Sequence, residues 1–181
     1  SQSSTSDLEA FVGSQFPSFH SLLSINQGVW GKIAEASACT IFCPTEEAFE
    51  KLGEKRRLQL RDVRNEEVAQ KIGKYHVVLD DAISAARLRT EDWTVPAPSD
   101  GSPRPITISG LVTMVAEVPV GRTKSGGVFG LFAKEDGDIC VGPNARIQKS
   151  YKLGTCIVHE MDDFINPVIL WRYCDQLKIG F

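Results

Sequence analysis

The segment Thr40-Ile41-Phe42-Cys43-Pro44-Thr45-Glu46-Glu47-Ala48-Phe49 constrains this chain more than any other. Its first half is β-branched and apolar, so residues 39–43 read as a buried strand. Pro44 removes a backbone donor and ends the ladder. Thr45 has the chemistry of an N-cap, and Glu46 and Glu47 put carboxylates in a first helical turn, where the helix dipole favours them. The strand therefore turns directly into a helix over 46–52. Far downstream, Gly154-Thr155-Cys156-Ile157-Val158-His159-Glu160-Met161-Asp162 reads as a second buried strand, carrying one histidine and closed by acidic residues. Between the two, Lys74-Tyr75-His76-Val77-Val78 reads as the entry to a strand over 74–79.

The rest of the chain changes character midway. Asp7 is a candidate cap for a helix ending near Val12. Pro17 opens another, with Phe19, Leu22 and Leu23 on one face, and Asn26-Gln27-Gly28 breaks it. Val29, Trp30, Ile33 and Ala34 make a further amphipathic turn. Residues 54–60 continue helically with alternating charge, as a solvated face would. Asn65 caps a predicted helix over 66–73 that buries Val68, Ala69 and Ile72. Residues 82–88 read as a short helix or turn. Pro96, Pro98, Pro103 and Pro105 then fall within 95–105, and no packed element runs through such a stretch. Strands are predicted over 106–108, 111–118, 129–133, 139–141 and 145–149, with a basic loop at Gly121-Arg122-Thr123-Lys124-Ser125-Gly126-Gly127. Helices first and strands later is an α+β order, not a βαβ alternation.

The 181 residues suit one domain, and the net charge of -3 argues against nucleic acid as a partner. No apolar run approaches the roughly 18 residues of a membrane helix. The first six residues are polar, so any targeting segment is expected to lie outside this sequence. No Asn-X-Ser/Thr acceptor and no Arg-Gly-Asp occur. The five cysteines, Cys39, Cys43, Cys140, Cys156 and Cys174, are odd in number, so at least one is unpaired within the chain. Their spacing is not that of a zinc site, and small buried hydrophobes are the alternative to bridges.

Taken in order, the strand-Pro-Thr-acidic-x-Ala-Phe string, Tyr75-His76 and the Val-His-x-x-Asp of the last strand resemble the fasciclin (FAS1) domain: its first box, its central tyrosine-histidine and its second box. Gly142-Pro143-Asn144-Ala145-Arg146-Ile147 resembles the strand that precedes the second box. The resemblance covers residues 16–167, leaving 1–15 as a lead segment and 168–181 as a C-terminal extension. Cys43 stands where the family usually has alanine and Cys156 where it has glycine. The loops at 96–105 and 121–127 are longer than typical. The resemblance implies a fasciclin-like wedge of antiparallel strands packed with several short helices, and adhesion or protein interaction without catalysis.

Several side chains are candidates on that basis. Tyr75 and His76 are the family's adhesion-associated pair, and carry over as part of a partner surface. The alternative is a buried tyrosine beside a structural histidine, since Val77 and Val78 continue into a core. His159 reads as structural, because Asp162, three residues on, points to the opposite face of a strand. If the compartment is oxidising, Cys43 and Cys156 are the expected disulfide, each replacing a small residue of a box. Arg122 and Lys124 give the second loop a positive field suited to an acidic partner or lipid head group, although 121–127 lacks the order of a phosphate-binding loop. Trp171 and Tyr173 make the tail unusually aromatic: it either packs back on the domain or docks on another protein.

The expectation is a non-enzymatic, exported interaction module with no cofactor and no metal. It binds another protein or a membrane protein complex, with peripheral membrane association and no span of its own. Two settings fit: an extracellular or cell-surface adhesion domain, or an accessory subunit on the lumenal side of a larger membrane complex, for example a photosynthetic complex of an algal thylakoid. The missing glycosylation acceptors, long loops and apolar tail favour the second. The competing class is a small-ligand-binding protein or enzyme built on Cys43 and His76.

Overall fold

In a computed structural model, residues 2–90, 120–122, 139–141 and 145–165 are described. Three helices come first: α1 (Gln2–Gln15), α2 (Pro17–Ser24) and α3 (Val29–Glu35). Strand β1 (Cys39–Pro44) follows, then α4 (Glu46–Lys51), α5 (Gly53–Arg61), a 3-10 turn (Val63–Asn65) and α6 (Glu66–Lys74). The remainder is β2 (Val77–Leu79), α7 (Ala85–Thr90), β3 (Val120–Arg122), β4 (Ile139–Val141), β5 (Ala145–Leu153) and β6 (Cys156–Met161). The predicted strands over 106–108, 111–118 and 129–133 lie outside the described residues.

The first box does what its chemistry dictates. Thr45 accepts the Ala48 N–H on its Oγ1 at 3.2 Å, capping α4. Pro17 sits at the start of α2, where a missing N–H costs nothing. The cap of α2 is unusual in coming from another helix. Glu46 accepts from both the backbone N and the hydroxyl of Ser18, at 2.8 and 2.6 Å, and so ties α4 to α2. Asn65 precedes α6 but does not cap it with its side chain; its Nδ2 donates to the Gln59 carbonyl at 2.9 Å instead. The lead helix α1 starts earlier than the Asp7 cap predicted and runs past Val12, and its Leu8 and Val12 enter the common core.

The described strands lie in the order β2-β1-β6-β5-β4-β3. The α+β class stands, with one refinement. β1 and β6, the two boxes, run parallel, while every other described pairing is antiparallel. Their register sets Cys39 against Cys156, Phe42 against His159 and Cys43 against Glu160. β5 and β6 form a two-residue hairpin whose Gly154 takes φ 62°, the positive value such a turn requires.

Every residue of β1 is buried, because both faces of the sheet are covered there. Phe42, Ala48, Phe49, Ile72, Val77, Val158 and Met161 share one apolar cluster, with Leu52 half-buried against it. Ile157 is buried but stands apart from that cluster. It lies opposite Thr40, on a face closed by polar contacts from the segment after β2.

Candidate functional site

Tyr75 and His76 are not on a strand. Tyr75 keeps helical geometry at the end of α6, its N–H reaching the Lys71 carbonyl at 3.0 Å, and β2 starts only at Val77. They form the turn that closes α6, with the His76 N–H reaching the Gly73 carbonyl at 3.1 Å and its ring taking up a carbonyl of the last helical turns. Its Nδ1–H donates to the Ile72 carbonyl at 2.8 Å, one turn back, and its Nε2 accepts the Ile165 N–H at 3.0 Å. Phe19 and Phe164 pack edge-on against the imidazole, each 5.6 Å between centroids. Tyr75 is 1% exposed and His76 0%, which corrects their expected place on a partner surface: neither side chain reaches one. Burial pushes the imidazole down to about 4, with the bond to Ile72 pulling the other way, so His76 is neutral at physiological pH.

His159 sits on β6. Its Nε2–H donates to the Ile83 carbonyl at 2.6 Å, and the Ser150 hydroxyl donates to its Nδ1 at 2.7 Å. The ring stacks on Phe42 at 5.2 Å. Burial lowers its pKa, outweighing the bond to Ile83. Thr40 completes the arrangement. Its Oγ1 accepts the Ile83 N–H at 2.7 Å and donates to the Asp81 carbonyl at 2.8 Å. Both polar groups of Ile83 are therefore held, one by each box. Asp162 is not part of this cluster; its carboxylate caps the Arg146 N–H at 2.7 Å.

The expected Cys43–Cys156 bridge is replaced by Cys39–Cys156. The parallel register explains the correction: Cys39 faces Cys156 with their Cα atoms 4.6 Å apart, while Cys43 is four residues further along, roughly 13 Å of strand. Cys43 is free and buried. Desolvation, then the nearby Glu160 carboxylate, push its thiol well above the ordinary value. His76 spends both ring nitrogens on backbone groups and has none to offer that thiol. Among the described residues, no group of three or more His, Cys, Asp or Glu side chains is placed to hold a metal ion. No helix among them is long and apolar enough to cross a membrane. Arg122 lies on β3, and Lys124, Trp171 and Tyr173 lie outside the described residues.

The fasciclin-domain family model matches residues 14–167. The chain belongs to the fasciclin family. Among solved structures, this fasciclin domain is similar to a FAS1 domain pair from the insect cell adhesion molecule fasciclin I, with a TM-score of 0.51 and 17% identity. That likeness, one of fold, covers 82% of this chain and 44% of the other, so the chain spans less than half the length of the pair. No curated protein matches the sequence. Sequence reasoning had no access to Cys39 as the bridging partner, to Ser150 and Ile83 as partners of His159, or to the Glu46–Ser18 clasp. Each depends on how separate elements pack or pair, and no local string announces it.

Proposed function

We propose that this fasciclin domain is a non-enzymatic, exported protein-interaction module, an accessory subunit on the lumenal or outer side of a larger membrane complex. The observation that carries the reading is the Cys39–Cys156 bond, which ties the first box to the second at the centre of the sheet. Disulfides persist in secreted, periplasmic and similarly oxidising spaces and are rare in the cytosol. The absence of glycosylation acceptors favours a lumenal setting, such as that of an algal thylakoid, over a glycosylated matrix. The inert Cys43 and the fully engaged His76 weigh against catalysis or small-ligand chemistry at that pair. Arg122, Lys124, Trp171 and Tyr173 remain the sequence-based choice for partner contact: a local positive field and two anchor-type aromatics.

Fractionation of native membranes tests this. The full chain should appear outside the cytosol, oxidised at Cys39 and Cys156, co-migrating with a discrete complex and released from it by salt. The released chain should rebind the stripped complex. A reduced, cytosolic monomer would overturn the reading.

A further inference from the structure

α2, α4 and α5 enclose a surface groove of about 400 Å3. Its floor is apolar, formed by Leu22, Ile25, Phe49 and Leu60. Its walls differ in charge: α4 contributes Glu46 and Glu50, and α5 contributes Arg57 and Arg61. Glu46 is already engaged by Ser18. Arg57 is in the opposite condition, for its Nε is buried with no hydrogen-bond partner among the described residues. The residue as a whole is half-buried on the groove wall, beside the exposed Arg61, so the pair presents positive charge to whatever enters. The planar fork of arginine suits a carboxylate above other acceptors. α5 as a whole carries Lys55, Arg56, Arg57 and Arg61 against the single acid Glu54, within a protein of net charge -3. Such a local excess steers acidic partners.

We propose that this groove docks an acidic amphipathic segment of a partner protein, seating one large apolar side chain on the floor and a carboxylate on Arg57 and Arg61. The proposal rests on the reading of the chain as an interaction module, and adds the surface and the partner's chemistry. An anionic bilayer fits less well. It would meet Glu46 and Glu50 together with the arginines, whereas a single segment presents its carboxylate to one wall only. The groove volume falls in the range of about 300–1,000 Å3 typical of binding pockets, enough for an anchoring side chain.

Random 12-residue peptides displayed against the oxidised full chain provide the probe. Enriched peptides should combine Asp or Glu with Leu, Phe or Trp. Synthetic copies should bind Arg57→Gln and Arg61→Gln at least tenfold more weakly than wild type. Ser21→Trp, at an exposed position on the α2 wall, should block binding by filling the groove. Arg61 is exposed, so its variant reads the effect even if Arg57→Gln disturbs folding. Equal binding by wild type and the double arginine variant would overturn the assignment, as would enriched peptides lacking carboxylates or no enrichment at all. Binding of the chain to phosphatidylglycerol–phosphatidylcholine vesicles that the double variant abolishes would assign the arginines to a membrane and overturn it too. If the native complex still captures the double variant at wild-type affinity, the groove assignment fails while the interaction-module reading stands.

Discussion

His159 of the second box donates to the carbonyl of Ile83 at 2.6 Å, while Thr40 of the first box accepts from the same residue's N–H at 2.7 Å. One residue in the segment after β2 is thus gripped from both central strands. His76 makes the matching clasp elsewhere in the core, joining α6 to the segment after β6. Two buried, neutral histidines with opposite tautomers hold irregular segments in place, one to the sheet and one to α6, and both bonding patterns require an unprotonated nitrogen acceptor.

A pH dependence follows. The folded pKa of His76 is depressed to about 4 from an ordinary value of 6.5. The unfolded chain therefore binds a proton at a higher pH than the folded chain. The stability from this group is fully present above pH 6.5 and is lost as the pH falls toward 4, a loss of about 3 kcal/mol for His76 alone. His159 adds in the same direction. Urea unfolding between pH 7.5 and 4.5 should show the midpoint dropping, with a shallower drop in His76→Gln. Imidazole 15N shifts should report His76 protonated on Nδ1 only at pH 5.5. A charged imidazole at that pH would refute the buried clasp.

The disulfide gives a covalent test. Peptide mapping without reduction should recover Cys39 linked to Cys156. Maleimide should leave Cys43 unmodified in the native protein and label it after unfolding, since the thiol is buried and held protonated. The bond spans a separation of 117 residues, so replacing both cysteines by serine should cost about 4 kcal/mol. Labelling of Cys156 in the intact, oxidised protein would contradict the register of β1 and β6.

Phe49 tests the first box. It is buried at 8% exposure and packs edge-on against Phe164 at 4.8 Å. Phe49→Ala should destabilise the domain by about 3 kcal/mol. Leu58→Ala, one element further at 44% exposure, should change stability by less than about 0.5 kcal/mol. Equal effects from the two substitutions would mean that the box helix is not packed as described.

How much of this was legible in the sequence depends on range. The Thr45 cap, the strand that stops at Pro44 and the helix at Pro17 are local, and each is visible in consecutive residues. Tyr75-His76 was legible as a pair yet read as strand, because β-branched Val77 and Val78 follow it. The ring of His76 bonding to Ile72 closes the helix end with a turn instead, and that preference is not in the propensities. The bridge differs from its expected pairing for another reason. Cys39 and Cys43 share a face of one strand, so only the parallel alignment with a segment more than a hundred residues away chooses between them. The groove was hidden likewise: its walls come from three helices, and the charges of 54–60 read as a solvated face until Leu22 and Ile25 of α2 are placed beneath them.

With Tyr75 and His76 buried, partner contact must be sought on other residues. If Arg122 and Lys124 steer association, replacing both by glutamate should slow the on-rate severalfold to a stripped native complex and flatten its salt dependence, leaving the off-rate nearly unchanged. If Trp171 is an anchor, Trp171→Ala should speed dissociation at an unchanged melting temperature. The kinetic split separates the two roles, since a steering charge acts before contact and an anchor after it. Should Trp171→Ala instead unfold the domain, the tail belongs to the core. Arg57 and Arg61 then become the leading contact residues, and their glutamine variants should carry the loss of affinity.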